Sequence, residues 1–211
     1  MPIWPVVVNT SAIAGSPVSL YQCAVPGSTN SAPGLATMLT LAAFWSSIRP
    51  LAELHSVHAQ KDPETGRKIS IGLVRMANIH PLVKVAQALG AMTAPADTRI
   101  HLCVYHSQHP LLVRSAIEEQ LDRLLARHEP EAWWASEPVR QLLDRHSETH
   151  QIVVVLATPV AEVGRDHDYD WGIVEPSSMR SIIQLAGRIR RHRSGTVEVP
   201  NLYLLGTNLK H

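Results

Sequence analysis

The sequence predicts an α/β domain built on a parallel sheet flanked by helices. Three observations carry this expectation. Short, near-continuous apolar runs, such as VVVL at 153–156, suit strands buried on both faces. These runs alternate with helical patterns, which implies parallel pairing through right-handed crossovers. The stretch 153–193 reads as a buried strand, a polar loop and a helix, an order that gathers functional groups in one crevice beyond the strand ends.

In chain order, residues 1–34 are rich in Pro, Gly, Ser, Thr and Val; VVV at 6–8 can form a strand and the rest reads as loop. Residues 35–58 suggest a helix. Asp62–Arg67 is a turn, Ile69–Ala77 a strand and Pro81–Leu89 a helix. A second unit follows: strand Arg99–Tyr105, the polar turn His106–Pro110 and helix Leu111–Arg127. Glu129–His146 is a charged helical stretch holding Trp133 and Trp134. Glu129, Glu131 and Glu137 around them repel a phosphate backbone, so packing is expected rather than stacking on bases. Strands Gln151–Ala157, Trp171–Glu175 and Asn201–Leu205 complete the pattern.

The helix beginning near Ser178 is the most informative element. Ser177 or Ser178 can cap it. Gln184, Arg188 and Arg191 stand at i, i+4 and i+7 and are expected on one helix face, with Ile182, Leu185 and Ile189 as the core stripe. Gly187 costs about 1 kcal/mol of helix stability relative to alanine, so it predicts a close approach to that face. Guanidinium forks grip phosphate oxygens and stabilise charge developing in phosphoryl transfer.

Composition sets bounds on function. A 45% hydrophobic content over 211 residues is enough for a sizeable core. Net charge is only +1, but residues 175–193 hold five arginines against one glutamate, so this segment is +4 and the remainder −3. A local basic patch suits phosphate or nucleic acid better than a membrane surface. Cys23 and Cys103 lack metal or redox spacing and read as reduced thiols of a cytoplasmic protein. The amino terminus lacks a basic signal region, and Leu35–Ile48 is too short to span a bilayer. His55 and His58 have no evident acid or cysteine partner and are expected at the surface or as caps. His167–Asp168 spells the pair found in a class of metal nucleases, without further ligands at suitable spacing. No metal site is therefore expected.

QLAGRIRR (Gln184–Arg191) resembles motif VI of superfamily 2 helicases, Q-R-x-G-R-x-x-R, and ATPVAEVGRD (Ala157–Asp166) resembles their motif V. GLVRMANI (Gly72–Ile79) is similar to motif IV. The wording ATPVAEVGRDHDYD and EPSSMRSIIQLAGR is closer still to the CRISPR-associated helicase–nuclease family of type I-F systems. One departure is Leu185, where many relatives carry arginine.

The resemblance implies a RecA-like helicase C-terminal domain over 48–211, with 1–47 unassigned. In such a motor Arg188 and Arg191 act as arginine fingers toward the ATP γ-phosphate and Gln184 orients around the nucleotide or water. Gly164, Asp166 and Gly187 line the nucleotide side. Thr158 meets a DNA phosphate, and Arg75, Asn78, His106 and Ser107 lie near the single-stranded DNA path; each of these four either contacts DNA or simply caps a strand end. ATP and Mg²⁺ are held mainly by a first RecA-like domain, whose G-x-x-x-x-G-K-S/T phosphate loop and acidic box do not occur in these residues. The implied partners are that first domain, the nuclease domain of the same enzyme, single-stranded DNA and the Cascade surveillance complex. The isolated chain is expected to be inactive. The other expectation is a non-catalytic decoy or adaptor that binds DNA, Cascade or a helicase partner.

Overall fold

A computed structural model describes residues 18–21 (backbone only), 51–162, 165–193 and 197–205. The strands are β1 (Val18–Tyr21), β2 (Gln60–Lys61), β3 (Lys68–Arg75), β4 (Thr98–Tyr105), β5 (His150–Ala157), β6 (Trp171–Val174) and β7 (Leu202–Leu204). They form one sheet in the order β1-β4-β5-β3-β6-β7. Every pairing along this path is parallel, while β2 pairs antiparallel with the start of β3. The helices are α1 (described over 51–58), α2 (Ile79–Gly90), α3 (Leu111–Leu124), α4 (Pro130–Ala135), α5 (Glu137–Asp144) and α6 (Met179–Ala186).

Strand alternation sorts the core into two layers. Ile69, Ile71, Leu73, Val153, Val155 and Ala157 face one side and pack with α3, α4 and α5 through Leu121, Leu124, Trp133, Val139 and Leu143. Leu102, Val104, Ile152, Val154 and Leu156 face the other and meet Leu51, Leu54, Leu82, Val85 and Leu89 of α1 and α2. Period-two side chains make this partition unavoidable once both faces are covered. Gly72 stands in register with Trp171, and a Cβ there would lie 2.1 Å from the indole, so glycine is what lets the large ring enter the core.

The predicted elements from Ile69 onward are present with shifts of a few residues at their ends. The charged stretch 129–146 divides into α4 and α5, because Ser136 is extended and Pro138 sits in the first turn of the next helix. Trp133 packs in the core, its indole N–H donating to the Leu124 carbonyl at 2.8 Å. Val18–Tyr21, read as loop, pairs with β4; the VVV at 6–8 lies outside the described residues. His55 corrects the surface expectation: it is buried and hydrogen-bonded to Ser70 at 2.7 Å and to His150 at 3.0 Å. His58 is half-buried, and its ring donates to the Pro200 carbonyl at 3.1 Å.

Candidate nucleotide and nucleic-acid faces

Helix α6 begins at Ser178, whose hydroxyl accepts from the Ser181 backbone N–H at 3.1 Å. It ends at Ala186, and this corrects the expectation of one helix face carrying Gln184, Arg188 and Arg191. The chain is captured after Gly187 by the loop preceding β6. Tyr169 N–H donates to the Arg188 carbonyl and Arg190 N–H to the Tyr169 carbonyl, both at 2.9 Å, forming a parallel bridge between Tyr169 and Ile189. Arg190 then turns through the left-handed region at φ 53°. Gln184 is exposed on the helix, whereas Arg188 and Arg191 sit on the turn. A Cβ at Gly187 would meet only the Gln184 and Ile183 carbonyls, at 3.6 Å, so among the described residues no other segment makes the close approach expected there.

The two arginines differ in setting. Arg188 is buried, donating to the carbonyls of Arg165 and Glu162, and burial lowers its pKa from the ordinary value. Arg191 is exposed and pairs with Asp166 at 2.8 Å, joining the motif VI turn to the motif V loop. Gly164 lies outside the described residues.

Beneath this turn lies a buried charge cluster. Asp168 accepts from Arg193 at 2.6 Å and from the backbone N–H of Arg191 at 3.2 Å. Asp170 accepts from Arg193 at 2.5 Å, Arg127 at 2.7 Å and the Ile71 N–H at 2.6 Å. Desolvation raises the Asp170 pKa, but Arg127 and Arg193 outweigh it and hold the carboxyl below its usual range. The His167 ring meets Asp122 at 2.9 Å and the Tyr169 hydroxyl at 3.2 Å. The His167–Asp168 pair is thus committed to anchoring the loop. Arg127 and Arg193 carry no motif, and the sequence signal for them is only the acidic density of the loop they serve.

Arg75 is buried at the carboxyl end of central β3, in register with Ala157 and Val174. Its guanidinium donates to Glu162 at 2.8 Å, the Glu175 carbonyl at 2.8 Å, Ser177 at 2.7 Å and Ser181 at 3.1 Å. A direct DNA contact expected of Arg75 is therefore revised: the side chain points into the protein and ties motif IV to motif V and to the start of the helix that leads into motif VI. His106 is also buried, stacked on His109 with centroids 3.8 Å apart, and desolvation with His109 beside it pushes its pKa down to about 4.

Asn78, Ser107 and Thr158 come together. They line a cavity of about 820 Å³ with Ala77, His80 and Pro159, beyond the carboxyl ends of β3, β4 and β5. Among the described residues their side chains make no hydrogen bond, and Asn78 stands at the start of α2 without capping it. The lining is largely apolar, and its unengaged amide and hydroxyl groups stand beside a helix start with no acid in the first turn, where an anion such as phosphate can be received.

A profile of the C-terminal region of the CRISPR-associated nuclease/helicase Cas3 matches residues 68–194. The chain belongs to this family. It is 57% identical over 161 residues to the CRISPR-associated nuclease/helicase Cas3 subtype I-F/YPEST of Pectobacterium atrosepticum. It is 59% identical over 162 residues to the protein of the same description from Pseudomonas aeruginosa. These alignments cover 75% and 76% of the chain, which spans about 15% of the length of each relative. The match is therefore to the C-terminal helicase domain of type I-F Cas3. A crystal structure of T. fusca Cas3 with AMPPNP superposes with a TM-score of 0.51 at 18% identity, covering 78% of this chain and 16% of that one. At that identity the likeness bears on fold, which is RecA-like α/β. Among the described residues no helix is long and apolar enough to cross a membrane.

Proposed function

We propose that this chain serves as the second RecA-like half of an ATP-dependent DNA helicase motor within a Cas3-type nuclease/helicase of type I-F CRISPR interference. The observation that carries this reading is the meeting of Asn78, Ser107 and Thr158 around one cavity beyond the carboxyl ends of β3, β4 and β5. The cavity is the track for single-stranded DNA, held through phosphate by the Asn78 amide and the Ser107 and Thr158 hydroxyls. The turn is the nucleotide face. Arg188, steadied by two backbone carbonyls, and Arg191 supply positive charge to the ATP γ-phosphate, with Gln184, Asp166 and Gly187 alongside.

Arg75 couples the two faces, since from the strand that leads into Asn78 it bonds Glu162 of motif V and Ser177 and Ser181 at the start of the helix that leads into motif VI. The phosphates and Mg²⁺ are held mainly by the first RecA-like domain, so the chain alone does not turn ATP over. That domain, the nuclease domain of the same enzyme and Cascade are its working partners, in the cytoplasm, where the enzyme unwinds and degrades target DNA.

The test is binding of a fluorescent single-stranded oligonucleotide to the purified chain over a salt series. Weak binding that falls with salt, and falls further in Asn78→Ala and Thr158→Val, supports the track. Affinity unchanged in both variants removes the cavity from the nucleic-acid path. DNA-stimulated ATP turnover by the chain alone would sink the half-motor reading.

A further inference from the structure

His128, Asp166 and His192 come from three separate segments: the loop before α4, the loop after β5 and the turn after α6. The His128 Nε2 lies 3.2 Å from Asp166 Oδ2, and the His192 Nε2 lies 3.0 Å from Asp166 Oδ1. The imidazole rings stand 3.8 Å apart at 43°. One ligand atom from each residue falls within 4.8 Å of the other two. A tetrahedral ion bonded to such ligands at about 2.0–2.1 Å spaces them about 3.4 Å apart, so small side-chain rotations close the site.

We propose that His128, Asp166 and His192 form a binding site for a divalent transition metal of the Zn²⁺ class. Two imidazoles and a carboxylate are a borderline donor set, which suits Zn²⁺ or Co²⁺ and disfavours Mg²⁺ or Ca²⁺, whose ligands are oxygens. His128 and Asp166 are each about half exposed, at 54% and 51%, so an ion has an entry path and keeps a position for water. The nitrogen lone pairs must be free to bind it, so affinity falls as the pH is lowered.

The site shares its carboxylate with Arg191, which lies 2.8 Å from the same Asp166 oxygen that faces His192. A dication there competes with the guanidinium for Asp166 and repels it. The metal thus acts on the link between motifs V and VI; its bearing on ATP turnover rests on the role of Arg191 proposed above, whereas the binding itself does not.

The test is a Co²⁺ titration of the 211-residue chain followed by visible absorption, then displacement with Zn²⁺. The expected result is one ion per chain with the intense bands of four-coordinate Co²⁺, lost when Zn²⁺ is added. His128→Ala and His192→Ala should each weaken binding about 100-fold or more, since even residues that only hold a ligand in place are worth 10–100-fold. Arg191→Ala should tighten it by removing the competing cation. His128 and Arg191 are exposed and His192 is half-buried, and thermal melts of the metal-free variants check that each is folded. Equal Co²⁺ affinity in folded His128→Ala and His192→Ala, or no binding by the parent chain, overturns the site. Neither readout involves DNA or ATP, so this proposal and the motor reading fail separately.

Discussion

The arginine-bearing turn and the cavity rim are opposites in how their polar groups are satisfied. In the turn, Arg188 donates to two carbonyls, Arg191 to Asp166, and Arg193 to Asp168 and Asp170. At the rim, Asn78, Ser107 and Thr158 face the cavity with their side chains unengaged among the described residues. A guanidinium aimed at a transition state must be held before the reaction, because ordering it during the reaction forfeits the gain. A surface along which DNA advances benefits from groups that exchange partners easily. The internal bonding of one region and the openness of the other fit these two demands.

The sharpest break of this comparison is Arg188→Ala in the enzyme assembled with its first RecA-like domain. Loss of an arginine finger should reduce ATP turnover by about 10³-fold or more while leaving the fold intact. Turnover within a few-fold of the parent would demote the turn to a structural role.

Next in size is Asp170→Ala. It leaves Arg127 and Arg193 buried with less countercharge, and about 3–5 kcal/mol of stability should disappear in urea unfolding. A loss below about 1 kcal/mol would mean that water satisfies this cluster after all.

Acid should separate buried histidines from the turn. Burial, partly offset by the Gln151 hydrogen bond, pushes the His101 pKa down to about 4, and burial with His150 beside it does the same to His55. A base held neutral in the fold binds fewer protons than in the unfolded chain, so its contribution is complete above about pH 6.5 and lost on descending toward 4. For His101 the shift corresponds to about 3 kcal/mol. Asp170, whose pKa is lowered, contributes above its unfolded value and loses that contribution only as the pH falls below the usual carboxylate range. Denaturant midpoints should therefore decline between pH 6.5 and 4 in the parent chain and decline less in His101→Gln. Identical pH profiles would mean that His101 takes up its proton as readily in the fold as in the unfolded chain.

The smallest effect is expected at the rim. Asn78→Ala should leave the melting temperature near the parent value and cost about 1 kcal/mol in single-stranded DNA affinity, the worth of an ordinary hydrogen bond. A large loss of stability would show that Asn78 is a structural cap, and the contrast with the turn would weaken.

Much of the scaffold was legible because strand burial is written locally. Runs such as Ile69–Val74 and Ile152–Leu156 identify buried strands without knowledge of their neighbours, and the two-sided core follows from their alternation. A cap at Ser177 or Ser178 and a packing role for Trp133 and Trp134 were legible from local pattern, and the structure puts the cap at Ser178 and Trp133 in the core. The site was legible as a set of motifs but only partly as geometry. Periodicity extends a helix through Arg191, whereas the chain leaves it at Ala186 because Tyr169 offers backbone partners from a loop about twenty residues earlier.

The sequence by itself determined the strand–helix succession, the two apolar faces and the order of motifs IV, V and VI, since each depends on residues close along the chain. Tertiary structure decided where α6 stops, that Arg75 is a buried tie, that Asn78, Ser107 and Thr158 share a cavity, and that His128, Asp166 and His192 converge. The physical reason is the sheet order: placing β5 and β3 between β4 and β6 brings loops from distant parts of the chain together, and which of their groups meet depends on that order and not on neighbours along the chain.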